Sequence, residues 1–133
     1  MIYALDTNIV SFLLRGDAAV AARWRHERLA GNPSTIPIVV YYEAKRGLVY
    51  SNSTTKLKNF EQLCSSLGVD DLSVEDADAA SRVYSELRKI GRPIDDSDLL
   101  IAAQCLTRGY TLVTNNTKHF ENVVGLSLED WTK

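Results

Sequence analysis

Three acidic residues border apolar segments at widely separated points of the chain: Asp6, Glu43 and Asp98. Asp6 ends an apolar N-terminal run, Glu43 follows a second such run, and Asp98 opens the most apolar helix-like segment. Apolar surroundings raise the pKa of a carboxyl group, and so does a second carboxylate brought close to it. A divalent cation that prefers oxygen ligands compensates for both effects. We therefore treat these acids as candidates for a magnesium-dependent site that cleaves phosphodiesters.

The elements that would position these acids are short strands alternating with helices. Residues 2–5 and 110–114 are compact apolar runs, which are typical of buried parallel strands. Hydrophobic spacing, capping residues and glycine stops predict the remaining elements in this order: helix 9–14, helix 18–30, strand 35–38, helix 39–50, helix 54–67, weak strand 69–74, helix 77–90 and helix 99–107. This alternation predicts a three-layer α/β fold with a short, mostly parallel central sheet flanked by helices.

Length and composition restrict the class of protein. A chain of 133 residues with 45% hydrophobic and 24% charged residues fits one globular domain, 1–133, and not a disordered or fibrous protein. No apolar run approaches the roughly 18 residues of a membrane span, and the N-terminus lacks the pattern of a signal peptide. We therefore expect a cytoplasmic protein without a membrane partner. Cys64 and Cys105 lie among apolar neighbours without zinc-ligand spacing, so we expect buried free thiols.

Overall charge gives no nucleic-acid signature, since the formal net charge is −2. Basic residues nevertheless form local clusters within residues 23–28, 45–46 and 88–92. We interpret each cluster as a solvated helix face.

Parallel sheets bind ligands at the carboxyl ends of their strands. Asp6 and Asn116 each follow a predicted strand and are expected at that edge. Asp98 lies in the first turn of its helix, where the helix dipole favours a carboxylate, and Glu43 lies in the first half of another helix. Elements from distant parts of the chain can therefore bring these residues to one point.

Each acid also has a purely structural interpretation. Asp6 could cap a helix that follows a strand, and Asp98 could cap a later helix. Glu43 could face solvent and pair with Lys45 or Arg46 on the same helix. Taken singly, the acids favour the structural interpretation, whereas their combination with strand-end placement favours a functional site.

Five ordered segments carry a family resemblance that spans essentially the whole chain. They are LDTN at 5–8, the segment from Pro37 through Tyr42 and Glu43 to Gly47, GRPIDDSDLLIAA at 91–103, LVTNNTKHF at 112–120 and GLSLEDW at 125–131. Together these segments resemble a PIN-domain ribonuclease, and more narrowly the VapC-type toxins of type II toxin–antitoxin pairs. One such segment would carry little weight, but five in the family's order are specific.

The resemblance implies that Asp6, Glu43 and Asp98 form an acidic catalytic triad. Asp6 and Asp98 would be ligands of Mg²⁺, for which Mn²⁺ can substitute. Many relatives place a fourth acid at the position of Asn116, so this chain departs from that pattern. An amide oxygen can ligate Mg²⁺ but adds no charge, which would weaken a second metal site. Asp96 could supply the missing charge, or it could cap its helix.

Two further residues near these segments receive structural interpretations. We interpret Asp95 as a helix cap or a surface residue. His119 follows Asn116 closely enough to approach a substrate, but nothing in the sequence orients its ring. We therefore interpret His119 as a packing residue of a loop.

The resemblance also implies a reaction and partners. The reaction is magnesium-dependent hydrolysis of RNA, with transfer RNAs among the substrates of relatives, and it inhibits translation and growth. The partner is a VapB-type antitoxin whose C-terminal segment blocks the acidic site, where an incoming arginine could make bidentate contacts. Toxins of this type usually form homodimers.

Three other functions remain open at this point. An aspartyl phosphatase of the haloacid-dehalogenase type also places an Asp after its first strand, but its second Asp would fall at Asn8. A receiver-type phosphoacceptor domain requires an acidic pair near the first strand, whereas Asp6 stands alone. The third is a non-catalytic binding module with the same fold, which only a measurement of activity separates from an enzyme.

Overall fold

A five-stranded sheet lies at the centre of the computed structural model, which describes all residues from 1 to 133. Its strands are β1 (Tyr3–Leu5), β2 (Ser34–Pro37), β3 (Val69–Asp70), β4 (Thr111–Val113) and β5 (Ser127–Glu129). Their spatial order is β3-β2-β1-β4-β5, and every neighbouring pair is parallel. The predicted α/β fold is confirmed, with a sheet that is entirely rather than mostly parallel.

Seven helices accompany these strands: α1 (Thr7–Leu14), α2 (Ala18–Leu29), α3 (Ile38–Tyr50), α4 (Thr54–Leu67), α5 (Val74–Lys89), α6 (Asp96–Arg108) and α7 (Thr117–Phe120). Crossovers between parallel strands are right-handed in almost all proteins. The chain moves from β1 to β2 and β3 in one direction and then returns to β4 and β5 beyond β1. Right-handed crossovers therefore place α1–α4 on one face of the sheet and α5–α6 on the other. None of the seven helices has the length and apolar character of a membrane span.

Several element boundaries differ from the prediction. α5 begins at Val74 rather than at residue 77, because Ser73 and Asp76 form a capping box that starts the helix directly after Ser73. The predicted strand 69–74 shortens to the two residues of β3. β5 was not predicted, because its sequence Ser-Leu-Glu lacks the apolar run that marks β1 and β4. α7 was not predicted, because a helix of four residues is too short to show a periodicity.

Apolar side chains of the strands fill the core between the layers. Leu5 of β1, Ile36 of β2 and Leu112 of β4 are each 0% exposed. Burial of each such side chain stabilises the fold by about 2 kcal/mol before conformational entropy is subtracted. Cys64 and Cys105 are buried free thiols, as predicted. Burial raises the pKa of the Cys105 thiol to about 12, so this group stays protonated and unreactive at neutral pH.

The register between β1 and β4 prepares the site at the strand ends. Leu5 pairs with Val113, so the next residues, Asp6 and Thr114, leave the sheet side by side. The Asp6 N–H donates a hydrogen bond to the Val113 carbonyl at 3.0 Å, which extends the ladder by one residue. The direction of strand order reverses here, and parallel α/β sheets bind ligands at such a reversal.

Candidate active site

The Asp6 carboxylate is fixed through both of its oxygens. Asp6 is the N-cap of α1, and its Oδ1 accepts a hydrogen bond from the Thr7 N–H at 2.8 Å. Its Oδ2 accepts a hydrogen bond at 2.8 Å from the hydroxyl of Thr114, which is 0% exposed. The structural interpretation of Asp6 as a cap is therefore correct. Capping does not exclude a functional role for Asp6, because each carboxylate oxygen keeps a further lone pair for a ligand.

Glu43 reaches the same region from the second turn of α3, the helix that follows β2. The Thr7 hydroxyl donates a hydrogen bond to Glu43 Oε1 at 3.0 Å. The predicted pairing with Arg46 also exists, but Arg46 Nη2 lies 4.0 Å from Glu43 Oε2. Such a long contact to the exposed Arg46 side chain contributes little. The Glu43 side chain is 21% exposed and is oriented mainly by Thr7.

Asp98 is positioned by the first turn of α6. The helix begins at Asp96, and its N-cap is Asp95, whose Oδ1 accepts a hydrogen bond from the Asp98 N–H at 3.2 Å. Asp98 Oδ2 lies 2.6 Å from His119 Nε2. One oxygen of Asp95, one oxygen of Asp98 and a ring nitrogen of His119 all lie within 4.8 Å of one another. These three donor atoms are close enough to contact a single ion.

These side chains share one cleft of about 270 Å³ at the carboxyl ends of β1 and β4. Its lining residues are Asp6, Thr7, Asn8, Glu43, Asp95, Asp98, Asn116, His119 and Phe120. The structure therefore brings together all four predicted site residues, Asp6, Glu43, Asp98 and Asn116. The lining contains no Lys or Arg, so no ammonium or guanidinium group within the cleft balances its carboxylates.

The pKa values of two carboxyl groups reflect this environment. Burial raises the pKa of Asp6, although hydrogen bonds from Thr114 and Thr7 oppose the shift. Burial also raises the pKa of Asp98 to about 6, with a further contribution from the neighbouring Asp95 carboxylate, while His119 opposes it. The raised pKa values mean that ionisation of both groups is less favourable in the folded protein than in water. The sequence predicts this shift for acids beside apolar segments that have no cation of the protein next to them.

The donor set fits a divalent cation. It consists of carboxylate and amide oxygens, which Mg²⁺ and Mn²⁺ prefer, together with one imidazole nitrogen, which Mn²⁺ accepts more readily than Mg²⁺. The tightest group of donors contains Asp98 but not Asp6, since it is completed by Asp95 and His119. An added cation would offset the burial and the repulsion from Asp95 that together raise the pKa of Asp98.

The hypothesis that Asp96 supplies a fourth acidic group is wrong. Asp96 lines a different cavity, next to Ala77, Ala80 and Tyr84 of α5. Its neighbour Asp95 lines the acidic cleft instead. Successive helix positions are about 100° apart, so a shift of one residue moves a side chain to another face. Asp95 is the predicted cap, and it also brings a fourth carboxylate to the cleft.

The interpretation of His119 as a packing residue of a loop is correct for the packing and wrong for the loop, because His119 lies in α7 and has a further contact that orients its ring. The ring contacts Phe120 edge-on, with centroids 5.3 Å apart, but its Nε2 also contacts the Asp98 carboxylate. Helix α7 provides this orientation, and no sequence pattern indicated a helix so short. Thr114 was missed although the strand-end rule that selected Asp6 also selects it.

Asn116 lies at the exposed edge of the cleft. Its N–H donates a hydrogen bond to the Thr114 hydroxyl at 3.1 Å, which fixes its backbone beside the Asp6 carboxylate. Nearby, the Asn8 side chain donates a hydrogen bond to Asn115 Oδ1 at 3.2 Å and joins α1 to the turn after β4. The amide of Asn116 therefore borders the cleft without adding a charge to it.

Comparison with known proteins identifies the fold and the family. The model of the PIN domain matches residues 3–126. The chain belongs to the PIN domain family. Among curated PIN-domain relatives, it is 30% identical to Ribonuclease VapC1 of Haemophilus influenzae (strain R2866), with 100% of both chains aligned. It is 32% identical to the tRNA(fMet)-specific endonuclease VapC of Shigella flexneri, over 98% of each chain.

Solved structures place the same fold in VapBC complexes. A chain of VapBC2 from Rickettsia felis, in a crystal structure bound to a DNA fragment from their promoter, superposes with a TM-score of 0.90 at 28% identity, covering 98% of this PIN domain and 99% of that chain. VapBC from Salmonella typhimurium, also bound to DNA, gives a TM-score of 0.89 at 27% identity, with 98% of both chains covered. The predicted resemblance to VapC-type PIN domains is confirmed, and neither a phosphatase nor a receiver domain is among these relatives.

Proposed function

We propose that this PIN domain is a magnesium-dependent endoribonuclease toxin that cleaves RNA and thereby inhibits translation and growth. The observation that carries the proposal is the convergence of Asp6, Glu43 and Asp98 in one cleft that contains no Lys or Arg. Relatives over the full chain length are named as ribonucleases, and one is named as specific for tRNA(fMet). Initiator transfer RNA is therefore the first substrate to test.

Asp6 and Asp98 are the proposed metal ligands, and Glu43 and Asn116 complete the catalytic set. When bound, Mg²⁺ or Mn²⁺ would stabilise negative charge on phosphoryl oxygens and lower the pKa of water. The protein's own contribution is to hold the ligands in place before the ion arrives. Thr7 and Thr114 achieve this for Asp6, since they fix its two oxygens at 2.8 Å each.

Asp95 and His119 have a proposed supporting role around Asp98. The Asp95 carboxylate accepts the Asp98 N–H, and the His119 ring contacts Asp98 Oδ2. The first contact fixes the Asp98 backbone at the start of α6, and the second restricts the rotation of the Asp98 carboxylate. Asp95 also brings to the cleft a negative charge that Asn116 does not supply.

A VapB-type antitoxin is the proposed partner. The solved relatives at 27–28% identity are VapBC complexes. An arginine from such a partner could make bidentate hydrogen bonds to carboxylates that have no basic neighbour within the cleft. A homodimer in the cytoplasm is the proposed form of the toxin itself.

Replacement of a metal ligand tests the proposed function directly. We expect Asp6→Asn and Asp98→Asn to reduce the cleavage rate of tRNA(fMet) in Mg²⁺ by about a thousandfold, because each change removes charge at the metal. Asp78→Asn is the matched control, since Asp78 is exposed on α5, away from the cleft. Cleavage is measured by gel analysis of labelled RNA, with bulk cellular RNA as a second substrate.

Two results would contradict the proposal. One is cleavage by both variants at the wild-type rate, and the other is wild-type cleavage that persists in EDTA. Complete inactivity of the wild type on all RNAs would instead favour a non-catalytic binding module.

A further inference from the structure

Two cavities share a wall with the acidic cleft, and only one of them carries positive charge. The first, of about 180 Å³, adjoins the cleft at Thr7 and Asn8 and is otherwise lined mainly by aliphatic side chains of α1 and α3. The second, of about 300 Å³, adjoins it at His119 and contains Arg92 and Lys118. We call this second cavity the basic annex; its remaining residues are Pro93, Ile94, Glu121 and Asn122.

Arg92 occupies a fixed backbone position at the end of α5. Gly91 has a φ of 71°, and its N–H donates to the Arg88 carbonyl at 3.1 Å. The Arg92 N–H donates to the Leu87 carbonyl at 2.8 Å. These two bonds form a Schellman motif, which ends the helix and orients the residue that follows the glycine. Arg92 is therefore held beside the cleft, and only its side chain needs to order on binding.

Lys118 is held by the short helix α7. Phe120 is 1% exposed and anchors this helix in the core, and the His119 N–H donates to the Asn116 carbonyl at 3.1 Å. The same helix carries His119 against Asp98. Lys118 is thus tied to the geometry of the acidic site through its immediate neighbour.

Neither cation of the basic annex is neutralised within the protein. No carboxylate lies within 4.0 Å of the charged atoms of Arg92 or Lys118, whereas Arg23 and Arg108 each pair with two acids. Glu121 also lines the annex but pairs with neither cation. With a neutral His119, the side chains of the annex carry a formal charge of +1. The acidic cleft next to it carries four carboxylates.

We propose that Arg92 and Lys118 bind the RNA phosphate next to the one that is cleaved, so that the RNA backbone leaves the acidic cleft past His119. This inference rests on the proposed ribonuclease function. Four carboxylates repel a polyanion, so cations at the border of the cleft are needed to attract and position it. The annex offers both a guanidinium, which suits bidentate phosphate binding, and an ammonium.

An acidic segment of the antitoxin is the competing occupant of the annex. RNA is favoured because the annex and the acidic cleft share His119, which contacts Asp98, and a nucleic-acid backbone places further phosphates next to the one that is cleaved. The apolar cavity on the other side of the cleft offers no cation to a phosphate.

Charge removal in the annex provides the test. Arg92→Gln and Lys118→Gln are compared with Arg82→Gln and Lys58→Gln, which remove exposed cations that line neither the cleft nor the annex. Binding of fluorescently labelled tRNA(fMet) is measured by anisotropy at several salt concentrations, in an Asp98→Asn background that prevents cleavage. Arg92→Lys and Lys118→Arg, which keep the charge, serve as rescue variants.

We expect each annex variant to reduce the slope of log affinity against log salt by about 0.7 and to weaken binding about fourfold near 0.15 M salt. In the cleavage-competent protein, KM for tRNA(fMet) should rise by a similar factor while kcat is retained. The control and rescue variants should keep the wild-type slope. A structural role for Arg92 or Lys118 would not change the salt slope.

Three outcomes would overturn the inference. The first is an unchanged salt slope in both annex variants, and the second is an equal change in the Arg82 and Lys58 controls. The third is a loss confined to binding of the purified antitoxin, which would assign the annex to that partner. Failure of the ribonuclease function itself is distinguishable, because the wild type would then bind RNA in this assay without cleaving it in Mg²⁺.

Discussion

Asp76 and Asp98 occupy equivalent positions on neighbouring helices, since each is the third residue of its helix, but their surroundings are opposite. At α5, the N-cap is Ser73, and the two residues exchange hydrogen bonds between side chain and backbone at 2.9 and 3.1 Å. At α6, the N-cap is Asp95, which accepts the Asp98 N–H but places a second carboxylate beside it. The same helical position therefore receives a neutral cap in one case and an anionic cap in the other.

The two aspartates also differ in the cations around them. Asp76 is 1% exposed and pairs with Arg108 Nη2 at 2.8 Å. Burial favours its protonated form, but hydrogen bonds from Thr107 and Ser73 and the charge of Arg108 outweigh that effect and lower its pKa. Asp98 has no basic partner except His119, and its pKa is raised to about 6. A carboxylate that the chain neutralises itself serves the fold, whereas one left without a cation is available to a metal ion.

The largest expected difference between Asp76 and Asp98 is in how much each contributes to metal binding. We expect Mg²⁺ or Mn²⁺ to stabilise the wild type by about 2.7 kcal/mol at a hundred times the dissociation constant, because the ion binds the folded cleft and not the unfolded chain. Asp76→Asn should keep this increase, and Asp98→Asn should lose most of it. Thermal unfolding with and without metal measures the effect. Equal stabilisation of all three proteins would place the ion outside the cleft.

Removal of charge at Asp76 should weaken the fold rather than the reaction. We expect Asp76→Asn to lower the free energy of unfolding by about 2 kcal/mol, because it leaves the partly buried Arg108 without its closest carboxylate. Asp98→Asn should cost much less, since it relieves repulsion from Asp95. Urea unfolding of both variants gives the comparison. If Asp98→Asn proved the more destabilising change, Asp98 would be a structural residue.

The pH dependence of stability should have opposite signs at the two positions. In metal-free protein, folded Asp98 binds a proton more tightly than the unfolded chain does, with a pKa of about 6 against an ordinary value of 3.8. The stability of the wild type relative to Asp98→Asn should therefore fall as the pH rises from about 4 to about 6. Asp76 has a lowered pKa, so its contribution is present above 3.8 and is lost as the pH falls below that value. Urea unfolding in EDTA, from below pH 3.8 to above pH 6, measures both contributions. Slopes of the same sign would contradict the comparison.

The smallest effect on the reaction is expected from a substitution of Asn116, the uncharged residue at the exposed edge of the cleft. Asn116→Asp adds a carboxylate without altering the size of the side chain, so we expect the Mg²⁺ concentration for half-maximal cleavage to fall about threefold. A magnesium titration of cleavage by both proteins measures this. An unchanged metal dependence combined with lower activity would show that Asn116 contacts the phosphate directly, where a carboxylate would repel it.

Strand ends and apolar helices made most of the acidic site predictable. Asp6 could be predicted from the sequence because an apolar run ends at it, and Asp98 could be predicted because it lies at the start of the most apolar helix. Asp95 and Asp96 could not be distinguished in the same way, because the choice depends on where the first turn of α6 begins, and one residue rotates the side chain to another face. Sequence periodicity resolves helix faces only over several turns.

Tertiary contacts account for the remaining errors. His119 gains its orientation from packing of α7 and from Asp98, which lies 21 residues earlier in the chain. β5 forms because β4 offers a free edge, and its own sequence has little strand character. Such elements take their conformation from partners distant in sequence, so local propensity carries no information about them.

The hydrogen bond between Asp6 and Thr114 joins residues 108 positions apart, and it has a consequence for the order of events during synthesis. A nascent chain that ends before β4 already contains Asp6, Glu43 and Asp98, but it lacks one of the two strands that pair with β1 and the ring that contacts Asp98. Asp6 and Asp98 then each lack one of the contacts that fix their carboxylates. β4 and α7, which complete the cleft, lie in the last fifth of the polypeptide, so the chain passes through most of its translation without an assembled site.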